Sequence, residues 1–339
     1  MRVVFEIFRH NLRFTFEAGT SRGKLTEKDT WLIKAYDPKK PDMVGWGEAS
    51  PLKTLSEDYS PEYAKVLEEQ ITKIESLEIP EHAEEVFDFV HQHVPDHLPT
   101  IRFALETALL DLINGGQFLI KANDFHQGKQ RIPINGLIWM GDEGFMKEQI
   151  DQKLKAGFNT IKMKIGAIDF EKELKLLASI RKDYSANEIT LRVDANGAFD
   201  QTNVSDRLME LASLEIHSIE QPIPPKQWEL MAELCQEKIL PIALDEELIG
   251  VHEPSRKEEL LDRIKPQYII LKPSLIGGMR ASEEWIDLAQ KRGIGWWMTS
   301  MLESNVGLNA IAQFTATYKD LLPQGLGTGQ LYHNNFESP

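Results

Sequence analysis

The sequence predicts a protein of the α/β class, in which a barrel of alternating strands and helices follows an N-terminal α+β region. From Pro133 onward, short apolar segments alternate with amphipathic helical stretches, which is typical of βα units and a parallel sheet. Eight such segments occur, and eight parallel strands are the number that closes a βα barrel. The predicted strands are residues 132–138, 159–165, 189–194, 216–221, 240–245, 267–272, 294–300 and 324–328.

The region before the barrel mixes strand-like and helical patterns. Residues 3–17 and 30–37 are predicted to be strands, and Gly45, Gly47 and Pro51 are predicted to mark a turn. Strands and helices in one short region indicate an α+β unit. The predicted helices are residues 60–76, 80–94 and 99–114.

The composition limits the classes of function. The 339 residues are 42% hydrophobic and carry a net charge of -15, which disfavours nucleic acid or an anionic membrane as a partner. Apolar runs are too short for a membrane span. The one cysteine, Cys235, excludes an internal disulfide and suits a reducing cytoplasm. We therefore expect a cytoplasmic protein with no nucleic-acid or membrane partner.

Charged or polar residues recur at the C-terminal ends of the predicted barrel strands, about 25 to 30 residues apart. In a closed βα barrel these strand ends meet at one mouth, where such barrels carry their active sites. One acidic residue after a strand is usually a helix cap or a solvated loop residue, but repetition in the same phase indicates a shared site. The series is Lys164, Asp194, Glu220, Asp245, Lys272 and Ser300.

The three acidic residues of the series follow consecutive strands, so we expect their carboxylates to face one another and to require a counterion. A ligand set of oxygen atoms without His or Cys favours a hard cation, Mg²⁺ above all, with Mn²⁺ as the alternative. The sequence therefore predicts a metal site formed by Asp194, Glu220 and Asp245.

Lys162 and Lys164 lie in the stretch NTIKMKIGA and share one face of a predicted strand. That face is either solvent-exposed or part of the barrel mouth, and the series of charges favours the mouth. With Lys272 opposite, the arrangement suits removal of a proton next to a carboxylate, because a cation stabilises the resulting enediolate. Burial, a second ammonium group and a cation each lower the pKa of a lysine and so favour its use as a base.

This set of residues resembles the site of the enolase superfamily, in its muconate-lactonizing-enzyme-like subgroup. The resemblance rests on a K-x-K pair on the second barrel strand, D, E and D on the next three strands, and K on the sixth. It extends over nearly the whole chain. It implies an α+β capping domain at residues 1–125, a (β/α)₇β TIM-like barrel at 126–320, and a last strand end and tail at 321–339 that docks on the cap.

The resemblance also implies a role for each residue of the set. Lys164 would be the base, Lys162 its electrostatic partner near the substrate carboxylate, and Lys272 the lysine on the opposite face. The implied Mg²⁺ ligands are Asp194, Glu220 and Asp245.

Within the subgroup, residues 298–314, residues 325–335 and the LKPSLIGG run ending at Gly278 resemble the o-succinylbenzoate synthase family of menaquinone biosynthesis. This implies a small carboxylate substrate, 2-succinyl-6-hydroxy-2,4-cyclohexadiene-1-carboxylate, that is dehydrated to 2-succinylbenzoate. The oligomeric state is left open. The expected substrate contacts are Arg22, in a basic glycine-containing loop of the cap, and Thr299, Ser300 and Glu303 after the seventh barrel strand.

Several alternative functions remain. The same six residues serve N-succinylamino acid racemases, dipeptide epimerases and cycloisomerases of the subgroup, in which the sixth-strand lysine is a second acid or base. The stretch GLGTGQ at residues 325–330 lacks an acid that could hold a substrate ammonium group, which argues against a dipeptide. A Schiff-base aldolase would leave the three carboxylates without a role. A non-catalytic barrel is disfavoured because all six charges are present.

Overall fold

The structure is a computed structural model that describes residues 1–20, 23–166 and 168–338 of the chain. Its N-terminal part is an antiparallel sheet with strand order β1-β2-β3 and helices packed beside it, which confirms the α+β character of the cap. Phe103, Ala104 and Leu105 are among the fully buried residues of the third helix. The elements are β1 (Val4–Thr20), β2 (Gly23–Tyr36), β3 (Val44–Ala49), α1 (Tyr63–Glu75), a 3₁₀ turn (Ala83–Glu85), α2 (Val86–His93) and α3 (Pro99–Ile113).

The predicted turn at Gly45 and Gly47 is wrong, because both glycines lie inside strand β3. Their role is to allow helix α3 to approach the strand closely. A Cβ atom on Gly45 would lie 2.1 Å from the carbonyl oxygen of Ala108, and one on Gly47 would lie 2.0 Å from that of Ala104. A glycine that permits close packing and a glycine that permits a turn look the same in sequence.

A curled parallel sheet of seven strands follows the cap, and its strand order is the order of the chain. Each strand lies within one of the predicted segments, so the α/β barrel class is confirmed. The strands are β4 (Gly136–Ile138), β5 (Thr160–Lys164), β6 (Thr190–Asp194), β7 (Ser218–Glu220), β8 (Ile242–Leu244), β9 (Tyr268–Leu271) and β10 (Gly295–Met298).

The predicted eighth strand is present only as two single-residue parallel bridges. Gln324 pairs with Ile134, just before β4, and Gly325 pairs with Thr299, just after β10. Because β4 and β10 are the outer strands of the sheet, these bridges close the ring. The side chain of Gln324 replaces part of the missing ladder, since its Oε1 accepts a hydrogen bond of 2.7 Å from the backbone N–H of Met298.

Amphipathic helices cover the outside of the barrel sheet. Helix α5, for example, buries Leu176, Leu177 and Ile180, while its residues Lys172 and Lys175 are exposed. None of the helices in the described part of the chain is long and apolar enough to cross a membrane. The helices are α4 (Glu143–Lys155), α5 (Phe170–Asp183), α6 (Val204–Ser213), α7 (Trp228–Glu237), α8 (Pro254–Ile264), α9 (Pro273–Ile276), α10 (Gly278–Lys291) and α11 (Asn305–Thr315).

The C-terminal tail runs along strand β1 of the cap. The backbone N–H of Thr15 donates to the carbonyl oxygen of Leu331 at 2.8 Å, and the N–H of His333 donates to that of Arg13 at 2.9 Å. The rings of Phe14 and Tyr332 pack edge to face, 4.7 Å apart. Tail, cap and barrel are thus in contact, while the domain boundaries at residues 125 and 320 stay predictions.

We expect Gly47→Ala to lower the free energy of unfolding by about 1–3 kcal/mol, because the added methyl group overlaps the carbonyl oxygen of Ala104. Denaturant unfolding monitored by circular dichroism measures this loss. The control is Gly327→Ala, whose added Cβ would make only ordinary contacts, the nearest at 3.6 Å. Equal stability of the two variants would contradict the packing role of Gly47.

Candidate active site

The register of the parallel sheet brings the first three residues of the predicted series to one level of the barrel. Lys164 of β5 is paired with Asp194 of β6, and Asp194 is paired with Glu220 of β7. All three stand at the C-terminal ends of their strands. Parallel strands place their C-terminal ends on one side of the sheet, so a charge that recurs once per βα unit becomes a cluster.

Lys162 and Lys164 both point into this cluster, as their spacing on one strand face predicts. The Lys162 ammonium group contacts Glu220 Oε2 and lies 3.1 Å from Asp194 Oδ2. The Lys164 ammonium group donates to Asp194 Oδ2 at 2.9 Å. The shared face therefore lies inside the barrel mouth, and the solvent-exposed alternative is wrong.

Lys272 and Asp245 form a second pair at the ends of β9 and β8. The Lys272 ammonium group donates to Asp245 Oδ2 at 2.5 Å, and Lys272 lines the same cleft as Lys162 and Lys164. The Asp245 residue is 2% exposed. The structure thus brings the five charged residues of the series and Lys162 into one buried cluster.

The pKa shifts reflect this arrangement of opposite charges. Burial opposes the charged form of Lys162, but Asp194 and Glu220 outweigh it and raise its pKa. Burial likewise opposes ionisation of Asp194, while Lys162 and Lys164 hold its pKa well below the usual range. For Lys272, burial lowers the pKa, but the charges of Asp245 and Glu246 and the hydrogen bond to Asp245 together outweigh it and raise the pKa. The carboxylates therefore keep Lys162 and Lys272 protonated. Neighbouring lysines without these carboxylates would instead lower one another's pKa.

Glu220 differs from the other carboxyl groups, because burial together with the charges of Asp194 and Asp245 raises its pKa despite the opposing charge of Lys162. Its Oε1 atom is buried and has no hydrogen-bond partner. An ionised buried carboxylate with an unpaired oxygen is costly unless a cation or donor reaches it. The positive charge near Glu220 therefore does not fully compensate its carboxylate.

The three carboxylates of the cluster have the donor atoms of a metal site but are paired with lysines. The described residues contain no group of three or more His, Cys, Asp or Glu side chains already placed to hold a metal ion, because lysine ammonium groups stand between the carboxylates. The donor atoms nevertheless fit a hard divalent cation: all belong to carboxylates, and Glu220 Oε1 has no partner. The chemistry of the residues therefore fits Mg²⁺.

Two further side chains belong to this cluster. Asn196 accepts a hydrogen bond of 2.9 Å from the Lys164 ammonium group, and its backbone N–H donates to Asp194 Oδ1 at 3.0 Å. The ring of Trp139 lies 5.9 Å from the same ammonium group. Asn196 follows Asp194 by two residues on the strand-end loop, a spacing that could have identified it. Nothing in the sequence around Trp139 distinguishes it from a core residue.

The cluster opens into a cleft with about 700 Å³ of empty space, open solvent included. Two of the expected substrate contacts, Thr299 and Ser300, line it. Their hydroxyl groups bond to the carbonyl oxygen of Gly325 at 3.0 Å and to the hydroxyl of Thr328 at 2.7 Å. The apolar part of the wall consists of Leu52 and Leu55 of the cap, Leu137, Trp139, Met301 and Leu302.

A third expected contact, Glu303, does not line the cleft. Glu303 is completely buried, and its carboxylate accepts hydrogen bonds from the Ser274 hydroxyl and, at 2.7 Å, from the backbone N–H of Met301. The expectation for Glu303 is therefore corrected. Its carboxylate holds the loop after β10 by hydrogen bonds and does not face the cleft. Its position directly after Leu302 in the sequence could not reveal this. Arg22 lies outside the described residues.

Comparisons with known proteins agree with this geometry. The family described as enolase C-terminal domain-like matches residues 145–338. An o-succinylbenzoate synthase from Desulfotalea psychrophila is 47% identical over 351 aligned positions, which cover 97% of this chain and 94% of that protein. Such identity over nearly the full length of both chains indicates common ancestry and a common fold.

Solved structures give the same picture. The crystal structure of MenC from Desulfotalea psychrophila has a TM-score of 0.85 and 43% identity and covers 100% of this chain and 97% of that chain. A dipeptide epimerase from Enterococcus faecalis has a TM-score of 0.84 with 99% and 93% coverage, but at 19% identity it shows the shared fold alone. The chain therefore belongs to the enolase superfamily, in its muconate-lactonizing-enzyme-like subgroup.

Proposed function

We propose that this chain is an o-succinylbenzoate synthase, a carbon-oxygen lyase that dehydrates 2-succinyl-6-hydroxy-2,4-cyclohexadiene-1-carboxylate to 2-succinylbenzoate. The observation that carries the choice of reaction is the 47% identity over 97% of the chain to a protein of that name. The lysine and carboxylate cluster supplies chemistry that this reaction needs. A role in menaquinone biosynthesis and a cytoplasmic location are parts of the same proposal.

Asp194, Glu220 and Asp245 are the proposed ligands of Mg²⁺, with Mn²⁺ as the alternative. When bound, such a cation would stabilise the negative charge that develops on the substrate carboxylate. The balance of charge supports it: the three carboxylates and the ammonium groups of Lys162, Lys164 and Lys272 cancel, so a substrate with two carboxylates would enter uncompensated unless a divalent cation accompanied it.

Lys164 is the proposed base. Its ammonium group lines the cleft and is held by Asp194 and Asn196, so its direction is fixed from two sides. In the proposed reaction the neutral amine takes the proton from C1, next to the carboxylate. The resulting ammonium group then gives a proton to the hydroxyl leaving C6 on the same face, and water and an aromatic ring result. One group can serve both steps because both reacting atoms lie on one side of the ring.

Lys162 and Lys272 need transfer no proton in this dehydration. The raised pKa values of both lysines suit groups that remain positively charged. Lys162 would stabilise the charge of the substrate carboxylate, and Lys272 would face the opposite side of the ring. Aromatisation makes the elimination favourable, so the demands on the pocket are modest. Thr299 and Ser300 are the proposed polar contacts of the substrate.

A racemase acting on an N-succinylamino acid is the second candidate. The observation that favours it is the presence of Lys272 and Lys164 in one cleft, because a racemase needs an acid or base on each face of the substrate. The dehydratase needs only one. The two functions therefore differ in what they require of Lys272.

We expect Lys164→Ala to lower kcat for the cyclohexadiene substrate by at least about 10²-fold, the smaller end of the range for loss of a general base. Ultraviolet absorbance of the aromatic product measures the turnover. Lys175→Ala, a substitution of an exposed lysine on α5, is the control and should leave kcat unchanged. A folded Lys164→Ala protein with normal kcat would refute the role of Lys164.

We expect Glu220→Gln to weaken Mg²⁺ binding by at least about tenfold, since a neutral amide is a poorer ligand for a hard cation than a carboxylate. Isothermal titration calorimetry with MgCl₂ measures this without relying on activity. Glu229→Gln, on the exposed face of α7, is the matched control. Unchanged affinity in Glu220→Gln, or equal losses in both variants, would exclude Glu220 as a ligand.

Lys272→Arg separates the two candidate functions, because arginine keeps the positive charge but does not act as a base near neutral pH. A dehydratase should lose less than about tenfold in kcat. A racemase should lose at least about 10²-fold in the rate at which deuterium from D₂O enters the N-succinylamino acid. A loss of dehydration as large as that of Lys164→Ala would contradict the electrostatic role of Lys272.

A further inference from the structure

A buried lysine of the cap holds the loop that follows β10. Lys28 lies on β2 and is only 5% exposed. Its ammonium group donates to the Ser50 hydroxyl at 2.8 Å, to the carbonyl oxygen of Met301 at 2.8 Å and to that of Leu302 at 3.1 Å. Each of its three hydrogens thus has an acceptor, and two of these acceptors are backbone atoms of a single turn.

That turn has an unfavourable backbone conformation. Leu302 has a φ angle of 64°, in the left-handed region that a residue with a Cβ atom rarely occupies. Its carbonyl oxygen also accepts a hydrogen bond of 2.7 Å from the Tyr332 hydroxyl, and its N–H donates to the Ser300 hydroxyl at 3.0 Å. Such a conformation persists only where its surroundings enforce it. Here a cap lysine and a tail tyrosine do so.

The same turn forms a wall of the substrate cleft. Met301 and Leu302 both line the cleft, and so do Leu52 and Leu55 from the cap segment that begins at Ser50. Lys28 itself does not line the cleft described above. It therefore stands behind the cleft, at the point where the cap wall and the barrel wall meet.

The charge of Lys28 is costly to bury unless it has partners. Burial lowers the pKa of Lys28 to about 8, against the opposing charges of Glu303 and Glu48, so the protein bears a cost for keeping the group charged. Removal of the charge alone would deprive the carbonyl oxygens of Met301 and Leu302 of this donor, and the buried Glu48 and Glu303 of an opposing charge. A buried charge that contacts carbonyl groups of one strained turn favours a specific conformation of that turn.

We propose that Lys28 is a positioning residue of the substrate cleft, which together with Tyr332 holds the backbone of Met301 and Leu302 in a strained turn and so sets the wall against which the ring of the substrate packs. The inference rests on the proposed function for the identity of that substrate. The positioning of the turn can be tested independently of it.

The experiment compares wild-type protein with Lys28→Met, which keeps the length of the side chain and removes its charge. Hydrogen exchange of the amides of residues 301–304 is measured by mass spectrometry in the full chain. We expect exchange there to become at least about tenfold faster while the barrel strands stay protected. With the cyclohexadiene substrate, KM should rise about tenfold and kcat should change less than about threefold, because the wall moves and the lysine base does not.

Lys34→Met is the matched control, since Lys34 lies on the same strand and pairs with Glu6 at 3.2 Å. It should change neither local exchange nor KM. Unchanged exchange at residues 301–304 in Lys28→Met would overturn the proposal. Faster exchange spread evenly over the whole protein would overturn it too, because that pattern shows a purely structural lysine. Local loosening with a normal KM would remove the role in substrate binding.

Tyr332→Phe keeps the test decisive if Lys28→Met does not fold. This variant deletes only the second hydrogen bond to the Leu302 carbonyl, and we expect a smaller effect on exchange at residues 301–304, about two- to threefold. No effect would overturn the proposal. If wild-type protein fails to convert the substrate, the proposed function fails, whereas the exchange measurement still decides whether Lys28 and Tyr332 hold the turn.

Discussion

The interaction on which the site depends is the pairing of three buried carboxylates with three lysine ammonium groups at the mouth of the barrel. Burying Asp194 or Glu220 alone would be very unfavourable, and the pairs with Lys162 and Lys164 offset that cost. The register of β5, β6 and β7 makes the pairing possible, because it sets the strand ends side by side. The pairing is incomplete at Glu220, whose Oε1 atom has no partner. That local shortage of positive charge is the feature that the proposed cation would compensate.

The barrel supplies the charges, but the cleft above them is built by segments that are distant in the chain. The cap contributes Leu52 and Leu55, the loop after β10 contributes Met301 and Leu302, and the segment that closes the ring contributes Thr328. These parts are joined by buried polar groups as well as by apolar packing. Glu48 of β3, for instance, accepts hydrogen bonds from the backbone N–H groups of Ser304 and Gly307 at 2.8 Å. The cap is thus fixed to the barrel at the edge of the cleft.

Features with a regular period could be predicted from the sequence. The barrel strands were found because apolar segments recur, and five of the six charges were found because they recur in phase with those segments. Lys162 was found because it shares a strand face with Lys164. Features that depend on one contact between distant residues could not be predicted in this way. Gly47 was assigned to a turn because only the position of α3 shows what a glycine in β3 is for. Glu303 was assigned to the cleft because a loop residue carries no sequence sign of the direction in which its side chain points.

The sequence by itself therefore determined the class of fold, the identity of the residues at the strand ends and the kind of chemistry they can perform, because periodicity and residue type are local properties. Only the tertiary structure decided which oxygen of Glu220 lacks a partner, that Asn196 holds Lys164, and that Lys28 of the cap holds a turn near residue 302. These depend on distances between segments far apart in the chain, and such distances are set by the packing of the whole molecule.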